Sequence, residues 1–466
     1  MTEAIATELP DGLPPSVRNR AMLALSLAAF LAVLETFIAN NALPAISLQL
    51  GSTPSDTIWV ANAYQVAMAV SLLPFSSLGD IGGYRRVYLF GLVVFTLASL
   101  ACGLAGSLPV LVLARIAQGF GAAGIISVNI ALVRFIYPRA KLGQGIGIVA
   151  LAVGVAACAG PSVAAGLLAL GPWQYLFLFI VPLGLLTLIL AVRYVPATPG
   201  TGNPFDISSA LLNAVGFGLM VVGADGLGHG RDPQVALAEL GVGIVALVVF
   251  FRRQLSQTTP MMPVDLLRHR PFALAVATSI CANACLTLAF ISLPFYFIFA
   301  GGQSQVETGL LMTPWPAGLI FAAPIAGRLS DKYSVGVLCG SGLAMVTAGM
   351  LMLMRIAPTA HWESVVGPML ICGLGFGLFQ TSNNRELMIS APPERSGAAA
   401  GMMTTARLIG QSIGGLVVAI AFAFAGSGRV EAAHGALSAL GIGAGFAAAA
   451  MAISLGQLVR STPKLA

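Results

Sequence analysis

An acidic and a basic residue lie within long apolar stretches of the sequence. Glu35 belongs to LAVLETFIANNALPAI (residues 31–46), and Arg115 belongs to LVLARIAQGFGAAG (residues 111–124). Burial disfavours the charged form of a carboxylate, whereas a nearby cation or entering water restores it. We therefore expect Glu35 to exchange a proton for another cation. Two structural roles fit the same residue: a permanently protonated Glu35 bonded to a neighbouring helix, or a fixed ion pair with Arg115.

The composition indicates that these stretches lie in a membrane. Of the 466 residues, 57% are hydrophobic and 9% are charged, whereas soluble domains have about 25% charged residues. Apolar runs repeatedly reach about 20 residues, the length of a helix that crosses a hydrocarbon core of roughly 30 Å. The 54 glycines and 27 prolines fit a membrane bundle, in which small residues allow helices to pack closely. The sequence therefore predicts an all-α polytopic membrane protein.

The apolar runs, bounded by Pro, Gly and charged residues, predict about fourteen spans. They begin near Ala21, Thr57, Val87, Pro109, Leu142, Trp173, Ile207, Val235, Phe272, Glu307, Val335, Val365, Gly397 and Glu431. Of the 23 lysines and arginines, 18 fall on the side of the N-terminus, and only Arg231, Arg355 and Arg429 fall on the other side. Because basic residues favour the cytoplasmic side, both termini are predicted to be cytoplasmic. Acidic residues and prolines before residue 20 argue against a cleavable signal peptide.

Similar segments near the ends of two spans indicate a repeat. SSLGDIGGYRR (residues 76–86) ends the second span, and GRLSDKYS (residues 327–334) ends the tenth. Two six-helix halves are therefore expected, an arrangement typical of transporters that bind substrate between the halves. The predicted organisation has five parts: a cytoplasmic tail (1–20), a first half (21–195), a central linker with two further spans (196–271), a second half (272–458) and a second tail (459–466).

These motifs resemble those of the major facilitator superfamily, in its fourteen-span drug:proton antiporter branch. The cytoplasmic motif G-x-L-a-D-R-x-G-R-R is present in reduced form. The resemblance implies a latch between helices, whose matching residues are Asp80, Gly83, Arg85 and Arg86 in the first half and Gly327, Asp331 and Lys332 in the second. A twelve-span variant would make residues 207–252 a non-spanning insert, which their two apolar runs disfavour.

Motifs within three spans carry the resemblance further. LVLARIAQGFGAAG is similar to the fourth-span motif, and ALAVGVAACAGPSVAAG (residues 150–166) resembles the fifth-span antiporter motif. The matching residues of the antiporter motif are Gly154, Gly160 and Pro161. ETFIANNALP (residues 35–44) resembles the first-span motif D-x-T-x-x-N-x-A-L-P, with Glu35 in place of the aspartate. The resemblance implies that Glu35 and Arg115 couple transport to protons.

Polar and aromatic residues within the spans are the candidates for substrate binding. In the first half they are Asn40, Asn41, Asn62, Tyr64, Gln65 and Gln118. In the second half they are Phe295, Tyr296, Met312, Trp315 and Arg407. Aromatic faces attract lipophilic cations, and methionine adapts to varied shapes. Arg407 either balances charge in the thirteenth span or binds an anionic substrate.

The resemblance implies a proton-coupled exporter of the plasma membrane, an antiporter of lipophilic and often cationic drugs or biocides. A dedicated exporter of one metabolite or antibiotic is the alternative, and a non-transporting membrane sensor is a more remote one. The sequence has no nucleotide-binding loop, metal-ligand spacing or nucleophile–base set, so neither an enzyme nor a cofactor is expected. The expected partners are protons, a small-molecule substrate and the lipid bilayer, without nucleic acid, and the expected state is a monomer.

Overall fold

Long helices form the protein. The computed structural model describes residues 12–461 except 139–140, 201, 203, 229–230, 258–261, 263, 331, 357–361, 392–395 and 427. The helices are α1 (Pro15–Leu50), α2 (Pro54–Gly82), α3 (Tyr84–Gly103), α4 (Leu108–Ile136), α5 (Leu142–Leu170), α6 (Gln174–Tyr194), α7 (Ile207–Gly228), α8 (Pro233–Ser256), α9 (Arg270–Phe295), α10 (Gln305–Met312), α11 (Pro314–Leu329), α12 (Val335–Met354), α13 (Trp362–Ile389), α14 (Ser396–Ala425) and α15 (Arg429–Ser461). The described residues contain no strand.

Fourteen spans are long and apolar enough to cross a membrane among the described residues, as the sequence predicts. The tenth span consists of α10 and α11, which are separated at Thr313 because the prolines at 314 and 316 interrupt the helix. We call the membrane face at which α1 begins face A and the opposite one face B. Odd-numbered spans then run from A to B, and even-numbered spans run back.

Local signals at the helix ends explain where several spans begin. Thr53 accepts a hydrogen bond from the backbone amide of Asp56 and caps α2, and Ser304 forms a capping box with Glu307 at the start of α10. Such side chains satisfy amides that have no partner within the helix. Gly51, at φ 61°, ends α1 in the left-handed conformation that glycine adopts readily. The turns at face B are therefore encoded locally.

Two helical halves and a central pair make up the bundle. The first half comprises α1–α6, in which α4 packs against α2 and α3, and α1 packs against α5 and α6. The second half comprises α9–α15, in which α9 packs against α14 and α15, and α13 packs against α11 and α12. The two halves meet where α14 contacts α2, where α10 and α11 contact α5, and where α1 contacts α9.

The central pair, α7 and α8, is attached to α2 and α14. Asn213 of α7 donates to the carbonyl of Val70 at 2.7 Å, and Trp59 of α2 donates to Asp225 of α7 at 3.0 Å. These bonds join polar groups that would otherwise be unsatisfied in the membrane. The pair is thus bound to the first half at two levels of the bundle.

Candidate functional site

Glu35 and Arg115 form an ion pair inside the first half. Glu35 Oε1 of α1 lies 2.9 Å from Arg115 Nη1 of α4, and the two side chains are 0% and 1% exposed. Charges at this depth need a partner, because an isolated charge is costly in an apolar medium. Each residue therefore provides the counter-charge that its neighbour requires.

Arg115 makes further hydrogen bonds to neutral acceptors. Its Nε donates to the carbonyl of Val60 at 2.8 Å, and its Nη1 donates to Gln118 Oε1 at 2.6 Å. The guanidinium also lies over the ring of Tyr64, 4.3 Å from the ring centroid. A planar group with donors in several directions can hold three acceptors at once. Arg115 consequently joins α1, α2 and α4.

A polar network fixes the neighbours of Arg115. Gln118 Nε2 donates to Ser99 Oγ of α3 at 2.8 Å, and Ser99 in turn donates to the carbonyl of Phe95. The hydroxyl of Tyr64 donates to the carbonyl of Ala32 at 3.0 Å. Tyr64, Gln118 and Ser99 are fully buried. Such a satisfied network holds the ion pair in one arrangement.

The second carboxylate oxygen of Glu35, Oε2, lies outside the ion pair. Oε2 is buried and makes no hydrogen bond to a described residue. When Glu35 is protonated, Arg115 still has Val60 O and Gln118 Oε1 as acceptors. Protonation of Glu35 therefore removes the counter-charge of Arg115 but leaves the guanidinium with two hydrogen bonds, since both neutral acceptors stay in place. The ion pair is one of the two structural roles that the sequence left open for Glu35.

Aromatic residues extend from the helix of Glu35 into the second half. Phe37 packs edge-on against Phe290 of α9 with ring centroids 5.1 Å apart, and Phe290 packs against Trp315 of α11 at 5.5 Å. Trp315 and Met312 are buried. A Cβ at Gly160 would lie 2.4 Å from Phe37 Cβ, so the glycine of the predicted antiporter motif leaves room for this ring. The two halves are thus in aromatic contact through a residue two positions along α1 from Glu35.

The other predicted polar residues of the first half lie on α1 and α2. Asn40, Asn41 and Gln65 are buried, and each has an amide oxygen without a partner among the described residues. Asn41 Nδ2 donates within its own helix to Phe37 O at 2.9 Å. Asn62 Nδ2 instead donates to Gly415 O of α14 at 3.0 Å, so this residue joins the two halves.

Two predicted aromatic residues have partners elsewhere in the second half. Phe295 packs against Phe299 and Phe422 at centroid distances of 5.6 and 5.0 Å. The hydroxyl of Tyr296 donates to Ile356 O at 2.7 Å. Phe295 ends α9 at face B and Tyr296 follows it directly, and both pack between helices of one half. No described contact joins either of them to Glu35 or Arg115.

The predicted latch residues of the first half contact the start of α3, the end of α6 and the segment that follows α6. Asp80 accepts a hydrogen bond from Tyr84 at 2.5 Å, and Arg85 donates to Val192 O at 2.6 Å. Gly83 has φ 96°, and a Cβ there would lie 2.6 Å from Thr198 O. Arg86 begins α3. Glycine is required at this turn by both its conformation and its close approach to the following linker.

The corresponding residues of the second half are described in part. Asp331 lies outside the described residues. Gly327 belongs to the last turn of α11, and Lys332 follows it at face A. Arg385 of α13 donates to the carbonyl of Ser330, which joins the ends of α11 and α13. A basic residue thus bonds a helix-end carbonyl at face A in each half.

Hydrogen bonds between the halves lie near face B. Ser55 Oγ of α2 donates to Ala419 O of α14 at 3.2 Å, next to the bond between Asn62 and Gly415. On the other side of the bundle, Ser162 of α5 and Thr313 form a hydroxyl–hydroxyl bond of 2.9 Å. Both sets would break if the halves separated at face B. The structure is therefore closed on that side.

Arg407 lies apart from the ion pair, in a cavity of the second half. The cavity is lined by Ser279, Asn283, Phe379, Gln380, Asn383, Asn384, Met403, Thr404 and Arg407. Apart from Arg407, none of these residues was a candidate from the sequence. The run QTSNN (residues 380–384) inside an otherwise apolar span was the signal that could have identified them, together with Ser279 and Asn283 one turn apart.

Comparisons with known proteins agree with this architecture. The family model described as Major Facilitator Superfamily matches residues 25–415. The uncharacterized transporter YebQ of Escherichia coli (strain K12) is 47% identical over 88% of this chain and 90% of its own length. The multidrug resistance protein Stp of Mycobacterium tuberculosis (strain ATCC 25618 / H37Rv) is 32% identical over 84% of this chain and 74% of its own length.

A solved structure supports the fold independently. A POT family transporter in complex with a thioalcohol-conjugated peptide has a TM-score of 0.71 at 15% identity, with 95% of this chain and 96% of that chain covered. At this identity the likeness concerns the fold alone. The family match, the relatives and the fourteen apolar helices lead to one assignment. The chain belongs to the Major Facilitator Superfamily of membrane transporters, which are not enzymes.

Proposed function

We propose that the protein is a proton-coupled exporter in which Glu35 carries the proton. One observation carries this proposal: Glu35 is completely buried, and its Oε1 is paired with Arg115 while its Oε2 has no described partner. A carboxylate in this position binds a proton or keeps its ion pair, according to the cations and water that reach it. Coupling needs such a group with two alternative states.

Alternating access would bring this group into contact with each side of the membrane in turn. The hydrogen bonds of α2 to α14 and of α5 to Thr313 close face B. Rocking of the halves would break them and open the path on that side. Each proton that moves down the membrane potential supplies about 2.3 kcal/mol per 100 mV. We place the chain in a bacterial plasma membrane, with face A cytoplasmic, and propose that the monomer is active.

The proposed substrates are lipophilic compounds, many of them cationic. The buried rings of Phe290 and Trp315 next to Phe37 support this class, because aromatic faces attract organic cations. The name of the relative Stp, a multidrug resistance protein, supports a drug as substrate. A dedicated exporter of a single metabolite would use the same carboxylate but would accept a narrow set of compounds. A sensor would give no flux.

Reconstituted protein tests the proposal. In proteoliposomes with an imposed pH gradient, we expect wild-type protein to move ethidium against the direction of proton flow. Glu35→Gln should fold normally and lose this gradient-driven movement. Glu239→Gln is the matched control, because Glu239 is also paired with an arginine, Arg231, but lies near face B on α8. Undiminished coupling in Glu35→Gln, with the control also active, would overturn the proposal.

A further inference from the structure

The Arg407 cavity is a polar pocket with a single charge. It lies between α9, α13 and α14 and has a volume of about 50 Å³. Its nine lining residues include hydroxyls and amides but no carboxylate, so the guanidinium of Arg407 is their only formally charged group. This volume holds a small group of a few atoms rather than a whole drug molecule. The pocket thus suits one charged substituent of a larger ligand.

Arg407, unlike Arg115, has no carboxylate partner among the described residues. Arg115 is paired with Glu35 and bonded to two further acceptors. Arg407 is partly buried, its Nε is buried without a hydrogen-bond partner, and no described carboxylate lies within ion-pairing distance. An unpaired charge is costly within a span. The cost is offset when an anion binds, because guanidinium and oxyanion match in shape and charge.

Four amide side chains line the same cavity as Arg407: those of Asn283, Gln380, Asn383 and Asn384. Asn283 and Asn383 donate through Nδ2 to the backbone carbonyls of Ser279 and Ala275, which fixes both side chains. Gln380 and Asn384 have no described hydrogen bond and line the same cavity. Their NH₂ groups are free donors for an oxyanion bound to Arg407.

The pocket also has an apolar side and a link to the ion pair. Phe379 and Met403 form part of its wall. The helix of Arg407, α14, packs against α2, which carries Tyr64, and the ring of Tyr64 lies against the guanidinium of Arg115. A ligand held by Arg407 could therefore extend toward the first half.

We propose that the Arg407 pocket binds an anionic oxyacid group, such as a carboxylate or sulfonate, of an amphipathic substrate. The inference rests on the proposed transport function and specifies the substrate class of that site. Zwitterions fit best, with the anionic group at Arg407 and the lipophilic cationic part directed toward the first half. Lipophilic cations without an anionic group would bind through the second contact alone.

Two dyes that differ in one group test this inference. Rhodamine 110 carries a free carboxylate, and rhodamine 123 is its methyl ester. Binding of each dye to purified full-length protein in detergent is measured by fluorescence anisotropy at pH 7, without a proton gradient. We expect wild-type protein to bind the acid at least about tenfold more tightly than the ester, the effect of one charge-assisted hydrogen-bonded contact.

Variants of Arg407 test whether this residue causes the tighter binding of rhodamine 110. Arg407→Gln should bind both dyes with similar affinity, whereas Arg407→Lys should keep part of the preference because the charge remains. Arg355→Gln, at an exposed arginine at the end of α12, should behave like wild type. If Arg407→Gln does not fold, the wild-type ratio and Arg407→Lys decide the question.

Three results would overturn the inference. Wild-type protein could bind both dyes with equal affinity, or Arg407→Gln could still bind rhodamine 110 more tightly than rhodamine 123. The third is that Arg407→Gln loses affinity for both dyes by the same factor. Glu35→Gln separates this inference from the proposed function. This variant should lose proton coupling but still bind rhodamine 110 more tightly than rhodamine 123. The ratio of the two dye affinities therefore tests the Arg407 pocket even if Glu35 does not carry the proton.

Discussion

Arg115 Nη1 lies between two acceptors, 2.9 Å from Glu35 Oε1 and 2.6 Å from Gln118 Oε1. One guanidinium nitrogen therefore contacts both the ionisable carboxylate and a neutral amide. Protonation of Glu35 removes the charge from one contact and leaves the other intact. This relationship keeps the buried arginine hydrogen-bonded in both protonation states of its partner, whereas its counter-charge is present in only one of them.

Arg115→Lys should disrupt the site despite its retained charge. A lysine nitrogen cannot reach Val60 O, Glu35 and Gln118 in the directions that the guanidinium serves. We expect a loss of about 1 to 3 kcal/mol for each buried acceptor left without a donor. Thermal unfolding in detergent measures this loss, with Arg355→Lys as the control. An unchanged melting temperature in Arg115→Lys would contradict the role of these bonds.

The close approach of α4 to α2 depends on Gly119. A Cβ at this position would lie 2.4 Å from Tyr64 O, whereas a Cβ at Gly166 of α5 meets no atom within 4 Å. Gly119→Ala should therefore move α4 away from α2, weaken the bond between Arg115 and Val60, and cost about 1 to 3 kcal/mol. Gly166→Ala should be neutral or slightly stabilising. Equal stability of the two variants would show that α4 and α2 tolerate separation.

Asn62 is expected to stabilise the arrangement closed at face B. Its side chain donates to Gly415 O at 3.0 Å, a bond that exists only while α2 and α14 are in contact. Asn62→Ala should shift the population toward separation at face B. Spin labels at the face-B ends of α2 and α14 report this shift as longer distances. Thr347→Val, which loses a bond within its own helix, should give the wild-type distribution. Unchanged distances in Asn62→Ala would refute this role.

The stabilising contribution of Asp206, which directly precedes α7, should be lost in acid. Partial burial of Asp206 disfavours its ionised form, but hydrogen bonds from Gln257, Ser209 and Arg253 outweigh burial and hold the pKa of Asp206 below its usual range. Because the folded-state pKa is lowered, the carboxylate stabilises the folded protein above its ordinary pKa of about 4. This contribution is lost as the pH falls through the folded-state pKa.

Asp206→Asn tests this dependence. The melting temperature of the variant should lie below that of wild type by a constant amount between pH 5 and 8, and the difference should narrow below pH 4. Asp232→Asn is the control, because Asp232 caps α8 without an ion pair to a described residue. If the difference in melting temperature between wild type and Asp206→Asn stays the same at all pH values, including those below pH 4, the ionisation of Asp206 does not contribute to stability.

The spans and the two buried charges could be predicted from the sequence, for a physical reason. Helices in a membrane need about 20 apolar residues, and a charge among them is conspicuous. Predicted starts such as Leu142, Ile207 and Val335 coincide with the observed ones, whereas α1 begins at Pro15, ahead of the predicted Ala21. Residues at helix ends outside the hydrocarbon core need not be apolar. The positions of these ends therefore depend on capping residues, which are a weaker signal in the sequence.

Which residues meet could not be predicted in the same way. Glu35 and Arg115 lie 80 positions apart, and their contact depends on how α1 and α4 pack. The pocket around Arg407 draws on three helices that are distant in sequence. Amides such as Asn283 and Asn383 are common within spans and identify a site only once the fold brings them beside a charge. The sequence likewise carries no sign of the closure at face B.

Proton release from purified protein tests the central claim, that Glu35 is the proton carrier, most directly. Tetraphenylphosphonium is added to protein in weakly buffered detergent solution, and the pH change is compared between wild type, Glu35→Gln and the control Glu239→Gln. We predict release from wild type and from the control, and none from Glu35→Gln. Equal release from Glu35→Gln, or no release from folded wild-type protein, would contradict the account.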